Sequence, residues 1–203
     1  MKFRISFVFA LSAIFAGCGG TRLSVDPEWN KAPAKFTVLV SEPYVANSDD
    51  VNDDFGSEEA FKLWTVAYLD TAFSSYSSVS HTTKLVNDES FVIVQKPLGD
   101  GQIGVPLPVA QKLDDVNGIV VSIHPVRFWR EIGMCHNRNG CMNNQSLNVQ
   151  VLYSIVSLDD SKVLAYGGAY DKSSFTFAMT KGDWEDVIET ISKKVVEKTP
   201  LEK

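Results

Sequence analysis

The side chains best suited to covalent or metal chemistry are three cysteines, Cys18, Cys135 and Cys141, and three histidines, His81, His124 and His136. Cys135 and Cys141 lie in the segment CHNRNGC, separated by a stretch that holds Asn137, Asn139 and Gly140. In an oxidising compartment, a pair joined by a glycine-containing turn closes as a disulfide. A ring this small contributes roughly 2 kcal/mol by the loop-entropy argument. A metal site built on Cys135, His136 and Cys141 would need a further ligand, with His81 and His124 the remaining histidines. A redox-active pair would call for the C-x-x-C spacing, which is absent here. The expectation is a structural disulfide closing a loop tip that presents Arg138.

Three other patterns could carry function. Gly99, Gly101 and Gly104 match G-x-G-x-x-G. Pro106 and Pro108, however, oppose the helix that a dinucleotide phosphate needs at the third glycine, so a turn-rich loop over Leu98–Pro108 is expected instead. Ser122 and His124 could be drawn as a hydrolytic pair. Two residues apart on a strand, they share a face but not a line of attack. The acidic run Asp49, Asp50, Asp53 and Asp54 lacks the spacing and terminal Glu of a calcium loop and is read as a solvated polar loop. Neither a catalytic residue, nor a cofactor, nor a bound metal is expected.

The N-terminus explains why the compartment is oxidising. Lys2 and Arg4 precede the apolar run Phe7–Phe15, which is too short to span a bilayer but suits the core of a secretory signal. The run leads into Phe15, Ala16, Gly17 and Cys18, which resembles the bacterial lipoprotein lipobox, although Phe15 stands where Leu is usual. That resemblance implies cleavage before Cys18 and acylation of its sulfur and its new amine. Several acyl chains make a stable anchor where one would be marginal. Gly19, in place of Asp, is similar to lipoproteins sent on to the outer membrane, which implies a body facing the periplasm. Residues 18–34, with Gly19, Gly20, Pro27 and Pro33, read as the lipidated cysteine and a tether.

With residues 1–17 removed, 17 basic side chains face 25 acidic ones in the mature chain. So acidic a chain, without clustered Lys and Arg, is a poor ligand for nucleic acid. An apolar content of 44% and a total of 203 residues suit one folded domain, placed at 35–200. Within it, KFTVLVS (Lys35–Ser41) reads as a first strand. Ser57 with Glu58 and Glu59 reads as a helix cap, ahead of Phe61, Trp64, Tyr68 and Ala72 at helical spacing. Ser77–Val86 alternates weakly, and Phe91–Gln95 reads as a strand. Gly118–Glu131 is a strand that Pro125 bends or places at an edge. Leu147–Ile155 and Val163–Tyr170 alternate around the turn at Asp159 and Asp160 and form a hairpin. The final helix runs from an Asp183 cap to about Lys198, with Trp184, Ile188, Ile191 and Val195 on one stripe. The fold class is α+β, with two main helices on a largely antiparallel sheet of five to six strands.

This order resembles the periplasmic domains of bacterial envelope lipoproteins of the curli-secretion-protein and penicillin-binding-protein-activator type. The residues that carry it are KFTVLVS before the long helix, GIVVSIHPVRF as a central strand, and NVQVLYSIVSLDDSKVLAYGG as a hairpin. It implies a non-enzymatic adaptor or assembly factor, held by its lipid anchor and bound to another envelope protein. An auxiliary lipoprotein of a lipid-transport system shares the layout and is the alternative, with a periplasmic hydrolase behind it. If Phe128, Trp129, Phe175 and Phe177 end strands beside the stapled loop, they form with Arg138 an aromatic patch for that partner. Intact-mass analysis should find fatty acyl groups on a mature chain that begins at Cys18, and Cys18→Ser should move the protein from the membrane to the soluble fraction. A mature chain free of acyl groups would overturn the lipoprotein reading.

Overall fold

A computed structural model describes residues 22–113, 115–133 and 144–203. Nine strands and three helices follow one another among these residues. They are β1 (Arg22–Val25), β2 (Lys35–Ser41), β3 (Tyr44–Val45), α1 (Ser48–Phe55), α2 (Glu58–Tyr76), β4 (Ser80–Val86), β5 (Phe91–Leu98), β6 (Gly101–Pro108), β7 (Ile119–Gly133), β8 (Asn144–Ser157), β9 (Lys162–Phe175) and α3 (Lys181–Val196). The main sheet runs β1-β9-β8-β7-β2-β4, with β3 beside the far half of β7, and β5 and β6 form a separate hairpin.

The α+β class stands, but the sheet is mixed and larger than expected. β1, β9, β8 and β7 pair antiparallel, whereas β2, β3 and β4 join in parallel. The reason is the connection. A chain leaving β2 and passing through α1 and α2 returns to the sheet edge in the same direction, because a helical crossover reverses a strand's path once more than a hairpin does. Side-chain alternation carries no information about that direction.

Ser57 caps α2, its hydroxyl accepting from the Ala60 N–H at 3.2 Å. At α3 the cap is Thr180, not Asp183. Asp183 sits three residues on and accepts from the Thr180 N–H at 2.8 Å, the reciprocal half of a capping box. The Asp49–Asp54 run is helix α1 and not a loop. Asp49 and Asp50 lie in its first turn, where negative charge suits the helix dipole. Its hold on the body is tertiary: Val51 is buried, Asp50 Oδ1 accepts from Arg130 Nη1 at 3.1 Å, and Asp54 Oδ2 accepts from Trp184 Nε1 at 2.8 Å.

α2 and α3 cover one face of the sheet. Phe61, Leu69 and Phe73 from α2 and Trp184, Ile188, Ile191 and Val195 from α3 meet Val38, Val121, Ile123, Phe128, Val149, Val151 and Ile155. Trp184 is fully buried, with Phe61, Phe128 and Phe55 ring centroids at 4.8, 5.3 and 5.7 Å. The β5–β6 hairpin lies on the opposite face, where Phe91 joins Leu39 and Val120. Its turn is Gly99-Asp100, with Gly99 at φ +59, a conformation that side chains resist. Leu98–Pro108 is thus a tight hairpin and not a loop, and Pro106 and Pro108 sit in a two-stranded ladder that has a free edge on β6.

Arg22–Val25, expected within the tether, pairs with Ala165–Gly168 as an edge strand. Gly167 permits it, since a Cβ there would collide with the Arg22 carbonyl oxygen and the Tyr153 hydroxyl. No described helix is long and apolar enough to cross a membrane. Replacing Trp184 with Ala removes the ring on which α1, α2 and β7 converge. It should cost about 3–5 kcal/mol in urea denaturation, while Phe177→Ala, at an exposed position, should change stability by less than about 0.5 kcal/mol.

Candidate contact surface

Three long strands, β7, β8 and β9, extend beyond the area that the hairpin covers. On the hairpin side, the hairpin touches the sheet where the Ser154 hydroxyl donates to the Pro106 carbonyl, where Gly104 faces Leu152, and where the Tyr166 hydroxyl donates to the Pro97 carbonyl at 2.6 Å. Past that line the same face carries Arg127, Trp129 and Glu131 from β7, Asn148 and Gln150 from β8, and Tyr170 and Lys172 from β9. Alternation places them together: Trp129 pairs with Asn148, and Gln150 with Tyr170.

Asn148 is the fixed point of this surface. It is fully buried although it belongs to the face that sequence alternation assigned to solvent. Its Oδ1 accepts from the Tyr170 hydroxyl at 2.6 Å, and its Nδ2 donates to the Ser146 carbonyl and hydroxyl, each at 3.2 Å. The Trp129 and Tyr170 rings, with centroids 5.9 Å apart, stand over it, both partly buried. The desolvated Tyr170 phenol, with Glu131 and Asp171 nearby, titrates above its ordinary range and donates as a neutral hydroxyl. A rigid Trp–Tyr pair over a satisfied amide, rimmed by exposed Arg127, Glu131 and Lys172, has the composition of a protein contact surface. No sequence signal distinguished Asn148 and Gln150 from ordinary outward polar residues.

The expected aromatic patch does not assemble as one surface. Phe128 is buried in the core beside Phe61 and Trp184. Phe175 belongs to the helix side, with the Arg130 guanidinium 5.6 Å from its ring centroid. Trp129 faces the other way, and Phe177, 91% exposed, lies past the end of β9. Strand alternation sends Phe128 and Trp129, neighbours in sequence, to opposite faces. Cys18, Arg138 and the Cys135–Cys141 pair lie outside the described residues.

The two described histidines are packed by rings and backbone. His81 stacks on Phe36 at 5.0 Å, and its Nε2 is 3.1 Å from the Asp70 carbonyl oxygen. His124 stacks on Phe91 at 4.9 Å with its Nδ1 3.5 Å from Asp88. Ser122, on the same face of β7, is fully buried. Among the described residues, His, Cys, Asp and Glu do not gather into a group of three suited to a metal. A groove of about 510 Å³ runs between α3 and β9, lined by both signs of charge, and in it Lys194 Nζ lies 3.4 Å from Asp171. Between the helices and the sheet the space is a void of about 10 Å³, lined by Leu69, Ile123, Phe128, Val149, Ile188 and other core residues.

No family model matches the chain, and no curated protein matches it. Among solved structures, the chain is similar to the PelC dodecamer from Paraburkholderia phytofirmans, at 10% identity over 91% of this chain and 100% of that one, with a TM-score of 0.39. It is also similar to a minor lipoprotein from Acinetobacter baumannii, at 14% identity over 80% of this chain and 88% of that one, with a TM-score of 0.38. A protein from Xanthomonas campestris matches at 9% identity over 88% of this chain and 90% of that one, with a TM-score of 0.39.

Burial lowers the His124 pKa from 6.5, ahead of the opposing pull of Asp88. Its neutral form is favoured by folding, so the stability this contributes is complete above the unfolded-state pKa and is lost as pH falls from about 6.5 through the depressed folded value. Chemical denaturation between pH 7 and pH 5 should show this acid limb, and His124→Phe, which keeps the stack on Phe91, should flatten it.

Proposed function

We propose that this protein is a non-catalytic lipoprotein of the bacterial envelope that binds another envelope protein through the surface centred on Trp129, Asn148 and Tyr170. The observation that carries this reading is the contrast between the two sheet faces. Under the helices the core is closed, with a void of about 10 Å³, room for no more than about one water. On the hairpin side the outer third of the long strands presents a preorganised aromatic pair with a charged rim. Binding surfaces concentrate their energy in such rigid Trp and Tyr anchors, which lose little side-chain entropy on association.

Lipid carriage, the second role considered, requires an apolar groove of several hundred cubic ångströms. The groove of about 510 Å³ between α3 and β9 is lined by Asp171, Lys172, Asp186, Glu189, Lys193 and Lys194, which do not suit an acyl chain, and the apolar void beneath the helices holds only about 10 Å³. Hydrolysis requires a nucleophile within hydrogen-bond reach of a base, in a cleft open to substrate. Ser122 is buried, and the His124 ring is sandwiched against Phe91. Both observations favour the binding role.

Acylation at Cys18 would confine the body to one membrane surface, which raises the effective concentration of a partner there without any new contact. The envelope location, the outer membrane and the periplasmic face all follow from the Cys18 reading, and a disulfide between Cys135 and Cys141, as expected from their spacing, would accord with such a compartment. A photoreactive side chain at Lys172, on the rim of the surface, should yield a discrete protein adduct in intact envelopes. Trp129→Ala should weaken that adduct by roughly tenfold or more, the loss of about 1.4 kcal/mol or greater that a central aromatic anchor carries. An adduct indifferent to Trp129, or no adduct, would overturn the assignment of this surface.

A further inference from the structure

We infer that the hairpin-side face of the long strands docks an acidic, extended segment of the partner protein, laid across the sheet over Tyr44, Gln150 and Tyr170 and held by Arg22, Arg127 and Lys172. This names the chemistry of the partner and rests on the reading of the Trp129–Asn148–Tyr170 surface given above.

The register of the sheet brings these residues together. β3 adds to β7 in parallel, with Tyr44 beside Arg127 and Val45 beside Phe128. Val45 packs with Phe128 in the core under the helices, so Tyr44 and Arg127 stand on the other face. Arg127 is level with Gln150, and Gln150 with Tyr170, so one row of four side chains crosses four strands. Tyr44 is 62% exposed and extends the aromatic surface past Trp129 by one strand. At the opposite margin, Leu23 and Val25 of β1 pack toward the helices, which turns Arg22 to this face, opposite Gly168.

Charge is divided between the two sides of the molecule. The helices α1, α2 and α3, on the far side, hold eleven acidic against four basic side chains. In the strand rows of the near face, Arg22, Arg127 and Lys172, all exposed, are set against one acid, Glu131, one row beyond Trp129. Lys96, 5.7 Å from the Tyr166 ring centroid, adds a cation at the hairpin margin. Two acids that precede β5 are engaged, Asp88 beside His124 and Glu89 with Lys112 at 2.9 Å. A chain of acidic overall composition thus presents a locally positive surface, which steers an acidic partner and repels a basic one.

Spacing selects an extended segment. With strands about 4.8 Å apart and residues about 3.4 Å apart along them, the backbones of Arg22, Arg127 and Lys172 form a triangle with sides of roughly 12–16 Å around Tyr170. Side chains standing perpendicular to a sheet keep that separation, so a single carboxylate meets one corner, whereas four or five extended residues at about 3.3 Å each span two. The exposed groups of this face end in charges, amides and phenols, and not in the aliphatic groups that enter a bilayer, so a protein segment fits it better than a lipid surface.

The test places a photoreactive phenylalanine analogue at 44 in the full-length chain and irradiates opened envelopes. A protein adduct should form, should fall steadily as salt is raised, and should map by mass spectrometry to an Asp- and Glu-rich stretch of the partner. Arg127→Glu should lower its yield roughly tenfold or more, Arg127→Lys should keep it within about twofold, and Lys193→Glu, on α3, should leave it unchanged. An adduct that is lost with Trp129→Ala but is indifferent to both salt and Arg127→Glu, or one that maps to a neutral or basic stretch, sinks this inference and leaves the protein-binding reading intact. Phospholipid adducts in place of protein assign the cations to a membrane surface and also sink it. With no adduct at 44 or at Lys172, both readings fall together.

Discussion

The structure depends on the hydrogen bonding of β7. Both edges of this strand are paired: β8 along one side for nearly its whole length, and β2 and then β3 along the other. Pro125 offers no N–H, and a proline inside a sheet is tolerated only where the ladder is interrupted. Here both ladders break at the same place. The β8 register shifts between Ile123 and Val126, β2 stops opposite Ile123, and β3 resumes opposite Arg127. The strand carrying GIVVSIHPVRF is thus central, and the proline bends it instead of confining it to an edge.

That break divides the molecule. Before Pro125, β7 is sandwiched between the helices and the β5–β6 hairpin, with Val121 in one core cluster and Val120 in the other. After it, the helix side remains dry around Phe128, while the opposite side is left to Trp129, Asn148 and Tyr170. Arg130 holds this outer part in place. It reaches Asp50 of α1 and Gln145 of β8 and lies over Phe175, so the far ends of β7, β8 and β9 move with the body. A Trp–Tyr pair is useful for recognition only on such a rigid support.

The elements with strong local signals were legible. The α2 cap at Ser57, the apolar stripe Trp184–Ile188–Ile191–Val195 and the hairpin around Asp159–Asp160 all follow from periodicity and turn chemistry. α1 was not, because its eight residues include four aspartates and its only fully buried apolar side chain is Val51. Its helix is set by contacts from Arg130 and Trp184, distant in sequence. β6 was missed because its glycines and prolines oppose strand structure locally, whereas pairing with β5 supplies what propensity withholds. β1 was hidden in a glycine- and proline-bearing segment and exists because Gly167 lets a backbone approach β9 closely.

The candidate surface divides in the same way. Trp129 was visible as a member of the expected aromatic patch, but its pairing with Tyr170 over a buried Asn148 was not. The sequence by itself determined the Ser57 cap, the alternation of Leu147–Ile155 and the residues that line the α3 stripe, because these depend on chemistry and spacing within short windows. Tertiary structure alone decided that β2 and β4 run parallel, that Arg22–Val25 pairs with β9, and that Asn148 is buried beside Trp129 and Tyr170. Each of these depends on which distant strand supplies the hydrogen bonds, a choice made by the whole sheet at once.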